Sequence, residues 1–195
     1  MRKENSYYRS REYLKLDEVI TLAEIAEHCS RGQNKIRNKL AILMTFYHGL
    51  RANELVSMRW DDLDLVQGSI YVRRSKGSVS ATHMLYQGEL ELLNLMLRTN
   101  VYVFVTESGK RMTPVTFSRM VERLRDEAFS RGLPGGIHAH MLRHSCGFWL
   151  VNEGHDIRVI QGYLGHKNIQ NTVTYTELDA NRFSGIEDPF KKDAA

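Results

Sequence analysis

His140 and Arg143 stand three residues apart, His166 closes a Leu-Gly-His triplet, and Tyr175 follows nine residues later. All lie in the run IHAHMLRHSCGFWLVNEGHDIRVIQGYLGHKNIQNTVTYTE that starts at Ile137. On a helix, residues i and i+3 share a face, so His140 and Arg143 would look the same way. One phenol, two imidazoles and a guanidinium, without paired carboxylates, suit phosphoryl chemistry that needs no metal. Carboxylates would repel a phosphodiester and are wanted mainly as Mg²⁺ ligands. A metal reading through His138, His140 and His144 competes, because 140 and 144 lie one helical turn apart, but no Glu, Asp or Cys completes it.

Several elements must hold these residues in place. Leu16 to His28 repeats apolar residues at helical spacing, with Asp17, Glu18 and Glu24 early, where negative charge suits the helix dipole. Ile36, Leu40, Leu43, Met44 and Tyr47 predict a second, amphipathic helix, which Gly49 is placed to end. Arg51 then falls in the first turn of a new helix, where backbone N–H groups and the dipole favour an anion. Residues 69–73 and 79–85 are strand-like runs joined through Arg74-Ser75-Lys76-Gly77-Ser78, a hairpin. A helix over 86–99 would turn Leu90, Leu93 and Leu97 inward, and 101–105 is a short β-like run. Thr113-Pro114 opens a helix carrying an apolar stripe from Phe117 to Ala128. Gly132 to Gly136 is a linker loop, and the chemistry-bearing stretch follows. The expected fold class is α+β, mostly helical with one small antiparallel sheet.

Basic residues outside the central set are candidate contacts to a polyanion. They are Lys35, Arg37 and Lys39 on the second helix, Arg73 and Arg74 at the hairpin, and Arg119 and Arg123 on the later helix. A solvated face is the competing reading for each. His138, His144 and His155 read as ordinary core or surface histidines, and Phe148, Trp149 and Leu150 as helix core.

His-x-x-Arg, then Leu-Gly-His, then Tyr nine residues on, resembles the tyrosine recombinases, the phage-integrase family. The wording His-Met-Leu-Arg-His-x-Cys-Gly is most like the fimbrial-type invertases that flip promoter segments in bacteria. Upstream, Gly49-Leu50-Arg51-x-x-Glu54-Leu55 resembles the family's first-arginine motif. The resemblance implies a catalytic set of Arg51, Lys76, His140, Arg143, His166 and the nucleophile Tyr175, with Glu54 buttressing Arg51. It places Lys76 on the hairpin lysine that reaches the minor groove and the scissile phosphate.

The resemblance further implies DNA strand cleavage and rejoining without ATP or any cofactor, through a covalent 3′-phosphotyrosine. Double-stranded DNA with inverted-repeat sites would be the substrate, with four protomers in the synapse and DNA-bending accessory proteins as possible helpers. The expected layout is a flexible basic and aromatic arm over 1–13, a catalytic domain over 14–180, and a tail over 181–195. Phe183, Ile186 and Phe190 would dock that tail on a neighbouring subunit or fold it back. Many members carry an N-terminal DNA-clamping domain; with about thirteen residues ahead of the catalytic fold, specificity would rest on that fold, the arm or accessory proteins. Two other readings stay open: type IB topoisomerase-like strand cleavage and resealing, and a DNA-binding regulator without catalysis.

Bulk properties agree with a DNA-acting protein without requiring one. The 195 residues suffice for one domain with a sizeable core; net charge is +4 and the pI about 9.1, a mild pointer to a polyanion. Cys29 and Cys146 match no paired motif and read as buried free thiols in a reducing compartment. No apolar run approaches the ~18 residues a membrane span needs, and the start lacks the apolar core of a signal peptide. A cytoplasmic, nucleoid-acting protein is expected.

Overall fold

The computed structural model describes residues 11–75 and 77–177; residues 1–10, Lys76 and residues 178–195 lie outside the described residues. The hairpin lysine Lys76, most of the arm and the tail with Phe183, Ile186 and Phe190 fall there. The described part is mostly helical with a three-stranded antiparallel sheet, the α+β class expected.

Helix α1 (Leu16–His28) starts where Glu18 turns its carboxylate back to accept the Lys15 N–H at 2.7 Å. It lays Val19, Leu22, Ala23, Ile25 and Ala26 against α2 (Asn34–Tyr47), while Cys29, expected to be buried, caps the helix end in the open and only Cys146 of the two thiols is buried. The expected stripe on α2 understates its burial. Leu40, Ala41, Ile42, Met44 and Phe46 are all fully buried, because α1, the short α3 (Ala52–Val56), α4 (Gln87–Leu95) and α7 (Ala139–Asn152) surround it. Each large apolar side chain so buried contributes roughly 1.5–3 kcal/mol, which makes α2 the centre of the core.

Gly49 (φ +56°) ends α2 as expected, and a Cβ there would meet Leu164 and Cys146. A 3-10 turn (Trp60–Asp62) leads into β1 (Leu63–Asp64), β2 (Ser69–Val72) and β3 (Ala81–Met84), in sheet order β1-β2-β3. Within β2, Ile70 and Val72 face the core while Tyr71 faces out. Helix α4 (Gln87–Leu95) is shorter than the span expected, leaving Leu97 outside it and 60% exposed rather than inward. The 101–105 run forms only isolated bridges, Arg59 with Tyr102 and Val105 with Arg111.

Thr113 caps α5 (Pro114–Glu122) by accepting the Thr116 N–H at 3.1 Å. The helix expected to run on to Ala128 breaks at Arg123-Leu124 and resumes as α6 (Arg125–Ser130). The stretch that carries the chemistry folds as α7 (Ala139–Asn152), α8 (Ile157–Leu164) and α9 (Gln170–Glu177). Asp156 caps α8, and Gly165 (φ +69°) ends it in a left-handed turn. The arm's last residues, 11–13, lie on this unit: Tyr13 stacks on Phe148 at 3.8 Å, and next to it the Leu14 N–H donates to Ser145 Oγ at 2.7 Å. Among the described residues, no helix is long and apolar enough to cross a membrane.

Candidate active site

A buried carboxylate gathers the arginines. Glu54 accepts from the Arg51 N–H at 2.9 Å, Arg51 Nη1 at 2.7 Å, Arg74 Nη1 at 3.0 Å and the Ser75 N–H at 2.9 Å, with Arg143 Nη1 at 4.0 Å. Burial by itself would raise its pKa. The two backbone N–H groups, the Arg74 charge and the Arg51 side chain outweigh burial and hold it at about 2. Three guanidinium charges against one carboxylate leave net positive charge in a cleft where Arg51 is one-third exposed. An electropositive, half-dry cleft of this kind attracts an anion.

Arg51 is the N-cap of α3, and its Nη1 also reaches Ser78 Oγ at 3.1 Å. The base of the hairpin loop on both sides of residue 76 thus abuts it. Arg143 is almost wholly buried and points between two loops, donating to the Gly49 and Leu164 carbonyls. Burial first, then Arg51 and Arg74, lowers its pKa to about 10, so it stays charged at neutral pH. Because a guanidinium carries five N–H donors, two carbonyls leave others for a ligand.

His140, Arg143, His144 and Gly147 occupy positions i, i+3, i+4 and i+7 of α7, one face. Tyr175 of α9 lies against that face, 3% exposed. A methyl on Gly147 would sit 2.5 Å from Tyr175 Cε2 and 2.6 Å from Cζ, so the missing side chain is the seat of the ring. Burial raises the Tyr175 pKa, against the lowering influence of Arg143 and Arg51. His166 follows Gly165, its Nδ1 3.0 Å from Thr172 Oγ1 and its ring stacked 6.3 Å from Tyr175. Gly165 donates nothing to the side-chain set but lets the chain pass close to the hairpin: its carbonyl accepts the Val79 N–H, and a Cβ would strike Val79 O. Burial lowers the pKa of both His140 and His166 to about 4, with Arg143 and Arg51 adding to it, so both imidazoles are neutral at pH 7.

Gly147→Ala is expected to lift Tyr175 off α7, since overpacking a tight contact costs about 1–3 kcal/mol. Acetylation of the Tyr175 hydroxyl by N-acetylimidazole, read by peptide mass, should be slow in the native protein and fast in the variant. Equal protection in both would mean that Gly147 does not seat the ring.

The structure brings Arg51, Glu54, Arg143, His166 and Tyr175 together, with His140 at the rim beside His144, their rings 4.4 Å apart edge to face. It adds one residue that sequence reading passed over. His144, read as an ordinary core or surface histidine, has its Nδ1 3.3 Å from Tyr175 Oη. Its place one turn beyond His140 was the available signal.

Two expected polyanion contacts are corrected. Arg74 has a fully buried side chain that donates to the His48, Gly49 and Tyr163 carbonyls and to Glu54, so it is an internal strut. Strand alternation explains this, since 74 continues the inward positions 70 and 72. Arg37 is half-buried on α2, donating to Val105 O at 2.7 Å and to Asn38. It shares the inward stripe of Ala41 and Met44. Lys39 pairs with Glu27 at 2.6 Å, and Arg73, 63% exposed, pairs with Asp62. Lys35, Arg119 and Arg123 are exposed. Among the described residues, no group of three or more His, Cys, Asp or Glu is placed to hold a metal ion.

Comparison with known proteins agrees with this geometry. Residues 12–182 match the phage integrase family. The chain is 39% identical over 188 residues to the type 1 fimbriae regulatory protein FimB of Escherichia coli K12, covering 92% of this chain and 91% of that one. It is 36% identical to FimE of the same strain, covering 80% and 81%. Among solved structures it is similar to XerA recombinase (TM-score 0.72, 28% identity, 89% of this chain) and to XerH site-specific recombinase bound to palindromic difH substrate in a post-cleavage complex (TM-score 0.74, 25% identity, 93% of this chain). It spans 63% and 54% of those two chains, less than two thirds of either. With the family matched over most of its length and its arginines, histidines and tyrosine folded into one cleft, the chain belongs to the phage integrase family, the tyrosine recombinases.

Proposed function

We propose that this protein is a site-specific recombinase that inverts a promoter-bearing DNA segment through a covalent 3′-phosphotyrosine intermediate. The observation that carries this reading is the positively charged cleft around Glu54 with Tyr175 seated beside it. Likeness to FimB and FimE, named as regulators of type 1 fimbriae, favours promoter inversion over other recombination outcomes.

In this mechanism Arg51 and Arg143 take the non-bridging oxygens of the scissile phosphate, for which planar guanidinium forks are suited. Tyr175 Oη attacks phosphorus, and the bond to the 5′-oxygen breaks. His140 and His166, neutral before DNA binds, donate N–H bonds to the developing charge. Lys76 is the proposed donor of the proton that the departing 5′-oxygen needs. The phosphotyrosine conserves the bond energy, so rejoining requires no ATP. Glu54 fixes Arg51 and keeps Arg74 and Arg143 from repelling one another.

The proposed assembly is four protomers on two inverted-repeat sites in the bacterial cytoplasm, with DNA-bending proteins assisting. The arm over 1–13 and the tail over 181–195 would add DNA or subunit contacts to a catalytic domain over 14–180. Lys35, Arg73, Arg119 and Arg123 are the proposed phosphate contacts outside the cleft.

The test is a plasmid carrying two inverted sites around a marked segment. Inversion should proceed in EDTA, and binding should weaken steeply with salt, because Lys and Arg replace counterions at each phosphate. Supercoil relaxation without inversion would favour topoisomerase-like chemistry. Loss of cleavage in EDTA with recovery in Mg²⁺ would overturn the proposed site.

A further inference from the structure

Tyr175 must lose a proton when its oxygen attacks phosphorus, and burial makes that loss harder. The residue in contact with that hydroxyl is His144, with Nδ1 3.3 Å from Oη. We propose that His144 is a catalytic residue, the base that takes the Tyr175 proton during cleavage and returns it during rejoining. The inference rests on Tyr175 being the nucleophile.

The geometry commits the imidazole to one form. For Nδ1 to accept from the phenol, the ring proton must sit on Nε2. As the Oη–phosphorus bond forms, the phenolic proton passes to Nδ1 and His144 becomes an imidazolium. The bond from phosphorus to the 5′-oxygen breaks, and that oxygen takes its proton from a separate acid. Rejoining reverses both transfers. An apo distance of 3.3 Å is at the long end for such a contact and can tighten once phosphate is bound.

The surroundings hold His144 in the neutral, proton-accepting state. Burial lowers its pKa first; Glu12 raises it, while Arg143 and His138 lower it again. His140 meets it edge to face from the preceding turn of α7, and His166 lies across the Tyr175 ring. Glu12, contributed by the arm and 3.3 Å from His138 Nε2, is the nearby carboxylate able to offset the imidazolium charge. A docked arm therefore raises the basicity of the proton acceptor. His140, the other imidazole on this face of α7, stands beside His144 at the exposed rim of the cleft.

The experiment uses the full chain and a DNA site whose scissile 5′-oxygen is replaced by sulfur, so that the leaving group needs no acid. Single-turnover formation of the protein–DNA adduct is followed from pH 5 to 9. Native protein should slow as pH falls and His144 becomes protonated. His144→Asn keeps an oxygen near the Nδ1 position to accept the hydroxyl but cannot take a proton in this range. It should form adduct about 10²–10⁴-fold more slowly and lose the acid limb. His144→Ala should be equally slow and regain rate with added imidazole, in proportion to the free-base form. Glu12→Gln should move the acid limb to lower pH. His144→Asn within threefold of native, or no imidazole rescue of a folded His144→Ala, would overturn the proposal. Adduct formation by Tyr175→Phe would instead overturn the assigned nucleophile, and this proposal with it.

Discussion

Tyr175→Phe is expected to bind its DNA site with near-native affinity and to form no covalent adduct. The substitution removes one oxygen and leaves the ring on Gly147, where packing rather than the hydroxyl holds it. The proposed phosphate cleft is built from Arg51, Arg143, Arg74 and Glu54 and does not depend on that oxygen. Lys76→Ala should also bind yet cleave about 10²–10⁴-fold more slowly, the usual worth of general-acid help. Sulfur at the bridging 5′ position makes a leaving group that requires no proton. On that substrate Lys76→Ala should return close to native while Tyr175→Phe stays inert. The measurement is covalent protein–DNA complex resolved on denaturing gels. Adduct from Tyr175→Phe would move the nucleophile elsewhere, and failure of sulfur to rescue Lys76→Ala would leave that lysine with phosphate positioning alone.

Glu54→Gln is expected to destabilise the fold by about 3–5 kcal/mol, because removing one partner of a buried ionic cluster leaves the other charges uncompensated. Arg74 suffers most, since its side chain is fully buried and its carboxylate partner is Glu54. Proton linkage gives a figure of the same order. The Glu54 pKa falls from 4.5 to about 2 on folding, and at 1.36 kcal/mol per unit that is about 3 kcal/mol. A depressed carboxylate pKa contributes in full above its unfolded value and is lost as pH drops through the folded one. The native protein should therefore lose this part of its stability between about pH 4.5 and pH 2, and Glu54→Gln should lack it throughout. Urea unfolding at pH 7 tests the size, with a midpoint about 2 M lower for a slope near 2 kcal/mol/M. An unchanged midpoint would mean that the arginines find other partners, and Glu54 would no longer count as the cleft's keystone.

The arrangement also separates two kinds of arginine that look alike in the chain. Arg51 and Arg143 retain donors for a ligand, Arg51 by partial exposure and Arg143 because two carbonyls use only part of its fork. Arg74 spends its Nη groups on four protein acceptors and braces the loop ends that aim the other two. Arg74→Lys should therefore weaken folding before it weakens phosphate contact.

Local chemistry was legible in the sequence wherever it depended on spacing within one element. The Leu16–His28 helix, the stop at Gly49, the Thr113-Pro114 start and the hairpin all appear where turn and cap residues put them. So does the sharing of one α7 face by His140 and Arg143, because a helix of 3.6 residues per turn allows nothing else. Strand alternation would also have turned Arg74 inward, had positions 70, 72 and 74 been read as one series. What only the tertiary structure decided is which distant groups meet. The contact of His144 with Tyr175 spans 31 residues, and Glu54 binds Arg74 across 20. Those pairings depend on how α7, α8, α9 and the hairpin stack, at points where Gly147 and Gly165 leave no room for a side chain. Periodicity fixes the direction of a side chain around its own axis. The partner it finds there is set by the packing of whole elements.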